Sequence, residues 1–209
     1  LTGYYGAPRM GNLVMEDNTS LILGGGGAAA FGSVSTGWLA TISGNLTVDT
    51  RLSVSGPLAI NSQLTLSDGM VYEWDLIRPP TGPAADVVNI AGDLIIDKSF
   101  TLDIFGLGGS ALPGDVFPLL VYQGTLFIGG LPWDPNDNPL DALIDISNLA
   151  DSIPYMWDLT NAEIRVTGLS EGMIYLTGLE ALAIPEPTTL SLLALGGLAL
   201  WRRRRRAAS

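Results

Sequence analysis

Residues Asn45 to Leu76 read NLTVDTRLSVSGPLAINSQLTLSDGMVYEWDL. Apolar side chains fall at every second position within short runs, and small turn residues break the runs at Ser55-Gly56-Pro57, Asn61-Ser62 and Asp68-Gly69. Alternation with a period of two, punctuated in this way, marks half-buried strands. The same grammar reaches back to WLATI (Trp38 to Ile42) and forward through DVVNI (Asp86 to Ile90), DLIID (Asp93 to Asp97) and FTLDIF (Phe100 to Phe105). No long stretch before Leu190 has a helical period. Asp141 to Asp151 is the least strand-like piece and is expected to form one short helical turn. The chain is therefore read as all-β.

Successive strands follow one another every six to ten residues or so, whereas turn signals in a sandwich recur about every 8–12. The tighter spacing suits the rungs of a solenoid, in which each rung buries its inward residues only against its neighbours. The pattern over residues 38–128 also resembles the passenger regions of autotransporters. That resemblance implies a right-handed parallel β-helix. The expected fold is thus a right-handed parallel β-solenoid-like stack with a single C-terminal hydrophobic helix, the alternative being a β-sandwich. YMWDLTNAEIRVTGLSEGMIYLTGL (Tyr155 to Leu179) reads as closing strands. Gly129 to Pro139, GGLPWDPNDNP, is too rich in proline for a central strand and is a candidate cap or lateral excursion. Leu21 to Phe31, with four consecutive glycines, reads as a loop. Three parts result: an N-terminal segment over 1–37, a β-rich domain over 38–183, and a tail over 184–209. The first residue is Leu1, with no basic and apolar leader ahead of the body; a removed leader or an incomplete record accounts for it equally.

The 209 residues include 26 Gly and 13 Pro but neither Cys nor His, and the net charge is -11. Setting aside Arg202 to Arg206 and Glu186 leaves 5 basic against 20 acidic residues, near -15. Such a body repels nucleic-acid phosphates, so nucleic-acid binding is not expected. Lack of cysteine removes disulfides and thiolate chemistry, and lack of histidine removes the commonest general base and transition-metal ligand.

The tail reads IPEPTTLSLLALGGLALWRRRRRAAS, Ile184 to Ser209. Thr188 to Trp201 carries no charge. As a helix it would rise about 21 Å, against a hydrocarbon core roughly 30 Å thick. Arg202, Arg203, Arg204, Arg205 and Arg206 can snorkel to lengthen the span. Positive charge beside an apolar segment stays cytoplasmic, which sets residues 1–184 across the membrane. Pro185-Glu186-Pro187, a short apolar helix and an arginine cluster in this order resemble the PEP-CTERM sorting signal. The resemblance implies an exported protein of a Gram-negative-type bacterium that makes exopolysaccharide. It implies an exosortase as partner, a transient inner-membrane intermediate, and processing near Pro185.

Three pieces of the body offer candidate chemistry. Glu73 and Asp75 lie two apart on one strand face, and paired carboxylates serve as acid and base in glycoside hydrolysis; the simpler reading turns Tyr72, Trp74 and Leu76 inward and leaves the carboxylates solvated. Asp134, Asn136 and Asp137 offer oxygen ligands for calcium, but Pro139 stands where an EF-hand needs glycine and Asp145 where it needs a bidentate Glu. Of the tryptophans Trp38, Trp74, Trp133, Trp157 and Trp201, most fall at strand positions that read as core. Trp133, between Pro132 and Asp134, reads as the exposed one and as a weak platform for sugar. The expected function is that of a non-enzymatic, exported structural protein of the cell surface or extracellular matrix, beside secreted polysaccharide and without a cofactor. A carbohydrate-binding module and, further off, a polysaccharide-processing enzyme are the alternatives.

Overall fold

The computed structural model describes residues 9–23, 27–77, 84–108, 116–134, 144–145, 157–158, 161–168, 170–178 and 180–181. The strands in chain order are β1 (Arg9–Met15), β2 (Ser20–Ile22), β3 (Ala28–Thr36), β4 (Ala40–Ser43), β5 (Asn45–Val54), β6 (Leu58–Ile60), β7 (Leu64–Leu66), β8 (Met70–Ile77), β9 (Ala84–Ala85) and β10 (Val88–Ile90). They continue with β11 (Leu94–Ile96), β12 (Phe100–Gly108), β13 (Val116–Ile128), β14 (Leu131–Pro132), β15 (Ile144–Asp145), β16 (Trp157–Asp158), β17 (Glu163–Thr167), β18 (Ser170–Thr177) and β19 (Glu180–Ala181).

The pairings sort most of these strands into rungs with three faces. On the first face β2, β4, β6, β10 and the middle of β13 run parallel, with Thr41 beside Ala59, Ala59 beside Asn89, and Asn89 beside Val121. On the second, the starts of β3 and β5 are followed by β7, β11 and the end of β13. On the third, β1, the ends of β3 and β5, β8, β12 and β15 stack in the same sense. This parallel pairing between rungs is solenoid-like stacking; a sandwich would be built from antiparallel sheets.

Alternation along each run points one residue in two at the same residue of the next rung. Leu46, Leu64, Leu94 and Leu126 form one column, and Val48, Leu66, Ile96 and Ile128 a second. Ala40, Leu58, Val88 and Leu120 form a third. Leu46, Leu64, Leu94 and Leu126 are wholly buried, and full burial of such a side chain contributes roughly 1.5–3 kcal/mol. Trp74 sits in the same core against Phe117, edge to face at 6.1 Å between ring centres. One turn takes 18 residues between Asp49 and Ser67, but 30 between Asp68 and Lys98 and 32 between Asp93 and Thr125. The longer turns carry more residues while the register of the three faces is kept.

Strands from Arg9 onward join the same stack: β1 lies on β3, β3 on β5, and β2 on β4. Much of the loop expected over Leu21 to Phe31 is therefore strand, with Ala29, Ala30 and Phe31 buried. Three residues of that stretch, 24–26, lie outside the described residues. At the other end the direction of pairing reverses. β18 runs antiparallel to β13, and β17 antiparallel to β18. Ile164 of β17 is buried, while Arg165 pairs with Glu163 at 2.5 Å on the outer edge. A charged edge strand discourages pairing with another chain. β14 folds back on the end of β13, pairing Pro132 with Phe127; of the cap or lateral excursion expected over Gly129 to Pro139, residues 135–139 lie outside the described residues. Of the short helical turn expected over Asp141 to Asp151, only Ile144 and Asp145 are described, and they are strand.

Candidate functional site

The third face carries the carboxylates weighed for catalysis. Tyr72 and Trp74 point into the core and are fully buried, so Glu73 between them points out. It faces Ser53 of the rung before and Asp103 of the rung after, each about 4.8 Å away along the hydrogen-bonding direction. Arg51 Nη1 donates to Glu73 Oε1 at 2.6 Å. The guanidinium is half exposed, and such a pair contributes at most about 1 kcal/mol. The side chain of Asp75 lies outside the described residues. Sequence reasoning missed Asp103, although it stands in LDIF where Glu73 stands in YEWD, one rung later. Stacking, not spacing along the strand, gives Glu73 its carboxylate neighbour.

Other acidic side chains sit at the corners and bond to the next rung. Asp49 accepts from the Ser67 hydroxyl at 2.9 Å. Asp93 accepts from the Thr125 amide at 2.8 Å, and Asp17 from the Trp38 amide at 2.8 Å. Asn45 accepts from the Ser62 hydroxyl. Asp68 accepts from Lys98 Nζ and Ser99 Oγ, both at 3.2 Å, and the Lys98 hydrogen bond holds its carboxyl below the usual range. Short polar side chains that bond to nearby backbone and hydroxyls fix turns. Here they also staple one corner to the next. Among the described residues no group of three or more His, Cys, Asp or Glu side chains is arranged to hold a metal ion.

Two polar clips lie inside. Asp86 is buried and accepts from the Gly56 amide. The Tyr72 hydroxyl donates to the Asp86 carbonyl at 2.9 Å and lies 3.3 Å from that of Leu119. Burial raises the Tyr72 phenol well above its ordinary pKa, and the Asp86 charge adds to this. The Tyr122 hydroxyl donates to the Gly168 carbonyl at 2.7 Å, and burial pushes its pKa up to about 12.

The aromatic reading needs correction at two places. Trp133 is not the exposed platform expected: it is half-buried and packs on the core. The cause is the return of β14 onto β13, where the Trp133 amide donates to the Leu126 carbonyl at 2.9 Å. Trp38, at a strand-like position, is instead 45% exposed. It stands in the turn between the third and first faces, with its ring against Gly56. Asp134 is exposed; Asn136 and Asp137 lie outside the described residues, as does the side chain of Trp157.

The tail, with Pro185, Glu186, Pro187 and Arg202 to Arg206, also lies outside the described residues, and so does the helix expected there. Among the described residues no helix is long and apolar enough to cross a membrane. No curated protein and no solved structure matches the chain. The family described as PEP-CTERM protein-sorting motif matches residues 183–206. Signals of this kind are recognised by exosortase and direct export through the membrane to the cell surface. The match spans the Pro-Glu-Pro triplet, the apolar run and all five arginines, and on it the chain carries a PEP-CTERM sorting signal behind an all-β parallel stack.

Proposed function

We propose that the chain is a non-enzymatic structural protein of the cell surface or extracellular matrix, delivered there by its sorting signal. The observation that carries the reading is the match of the sorting motif to residues 183–206. The body supports it in a second way. Several of its acidic side chains, Asp17, Asp49, Asp68 and Asp93 among them, are spent on corner staples, and Glu73 pairs with Arg51, which suits a rigid, hydrated scaffold beside polysaccharide.

The finer topology belongs to this proposal. Thr188 to Trp201 forms a short apolar helix in the inner membrane, Arg202 to Arg206 stay in the cytoplasm, and the β stack lies outside. A span of about 21 Å is marginal in a core of roughly 30 Å, which suits a handle that is removed. The host is then a Gram-negative-type bacterium, and cleavage falls near Pro185. The right-handed winding implied by the autotransporter resemblance belongs here too. Intact-mass measurement on the surface-exposed form tests the proposal. A mass lacking Arg202 to Arg206 is expected; a mass that retains them leaves a permanent anchor in place of a processed signal. A tag ahead of Pro185 that stays shielded from protease added to spheroplasts overturns the orientation.

A second reading, carbohydrate binding, no longer has Trp133 as an exposed platform and needs a different surface.

A further inference from the structure

The outer side of the first face is such a surface. Side chains that point away from the core along β6, β10 and β13 fall into two columns. Ala59, Asn89 and Val121 stand in one; two residues on in each run come Asn61, Ala91 and Gln123, where the Ala91 amide donates to the Ile60 carbonyl at 2.8 Å and keeps the rungs in step. These six residues line a shallow hollow. A second hollow, of about 380 Å³, continues from Val121 and Gln123 to Glu171 and Gly172. The two hollows share Val121 and Gln123 and follow one another across the rungs.

The chemistry of the lining is uniform. Asn61, Asn89 and Gln123 each present an amide, which donates and accepts at once. Asn61 Nδ2 spends one donor on Ser43 Oγ at 3.3 Å; its carbonyl is left over. Ala59, Ala91 and Val121 lie between the amides as small apolar steps. On a body near -15, the described residues of this lining include one carboxylate, Glu171, at the far end, and the phenol of Tyr122, which is uncharged near neutral pH. An edge-binding peptide would need unpaired backbone, and here both neighbours of every central strand are already paired. A polyanion would meet the repulsion of the whole body. Hydroxyl groups suit amides, since both donate and accept, and the C–H faces of a pyranose suit alanine and valine.

Spacing narrows the ligand further. Asn61 and Gln123 stand in one column two rungs apart, about 9.5 Å at the inter-strand distance. That is on the scale of one disaccharide repeat in an extended 1,4-linked chain. We infer that the first face is a binding groove for an extended, neutral oligosaccharide laid across the rungs, with Asn61, Asn89 and Gln123 as its hydrogen-bonding ruler. The site is argued from this face alone, and its test reads binding in purified protein, so it stands or falls apart from the export reading.

The full chain, kept in a detergent without a sugar headgroup, is titrated calorimetrically with neutral 1,4-linked hexasaccharides of glucan, mannan and xylan, and with a uronate hexasaccharide. Saturable binding of at least one neutral chain is expected, little changed between low and high salt because no charge pair is formed. The Asn89→Ala/Gln123→Ala double variant should weaken it about tenfold, as befits the loss of two neutral hydrogen bonds. Glu163→Gln, on the edge strand away from the groove, should bind as wild type. Both variants replace exposed side chains, and unchanged melting curves show that the fold is kept. Absence of saturable heat with every neutral chain overturns the inference. So does preference for the uronate, or full affinity in the double variant.

Discussion

Replacing Leu64 by alanine tests the rung register most directly. Leu64 is fully buried, with Leu46 in the rung before and Leu94 in the rung after. The substitution removes a side chain whose neighbours cannot collapse into the gap. Rungs are held about 4.8 Å apart by their backbone hydrogen bonds, so most of the cavity persists. Leu→Ala in such settings costs about 2.7–5 kcal/mol, and a rigid stack belongs in the upper half of that range, about 4 kcal/mol. Thr65 is the control, since it points outward from the same strand and its hydroxyl accepts from Gln63 Nε2 at 3.2 Å. Thr65→Ala should cost about 0.5 kcal/mol. Urea unfolding followed by far-ultraviolet circular dichroism reads both. With a slope of about 2–3 kcal/mol/M, Leu64→Ala should lower the midpoint by roughly 1.5–2 M with the slope unchanged, and Thr65→Ala by a few tenths. A one-residue slip exchanges inside for outside. Equal losses at the two positions, or a larger loss at Thr65, would therefore refute the register and the stacked columns with it.

Gly56 has a φ of +103°, and a Cβ there would overlap the Trp38 ring; Gly56→Ala should cost about 1–3 kcal/mol in the same urea assay, and Trp38→Ala beside it should recover part of the loss. For Tyr122 the folded pKa is raised to about 12, above the ordinary value near 10. The unfolded chain then releases its phenolic proton first, so stability holds below pH 10 and is lost as pH rises toward 12; Tyr122→Phe should flatten that alkaline slope while costing about 1 kcal/mol near neutrality through the lost bond to Gly168. Glu73→Gln should change the unfolding free energy by no more than about 1 kcal/mol, since Arg51 is half exposed in the pair; it should also leave any glycan-cleaving activity of the preparation unaltered, and loss of such activity would restore the catalytic reading.

Alternation in NLTVD, RLSVS and QLTLS was enough to assign strands and to say which residues face inward, because side chains along a strand take opposite sides whatever the strand pairs with. It correctly turned Tyr72 and Trp74 into the core and Glu73 out. It failed where the local pattern had no strand to refer to. LILGGGGAAAF looks like a loop by composition, yet Ala28 to Phe31 are carried as strand by pairing with Asn45 to Val48. Trp38 and Trp133 exchanged their expected exposures because each sits where the chain turns, and a turn's direction is set by what it packs against.

The sorting motif was legible from the residues alone, since a proline-bounded apolar run closed by arginines is written in local composition and needs no distant partner. The same holds for the all-β class and for which side chains of each run face inward. The candidate groove was not legible. Asn61, Asn89 and Gln123 are far apart along the chain, and nothing in the amides themselves announces a common surface. They converge because each rung is laid in register on the one before, and that register depends on backbone pairing between distant segments.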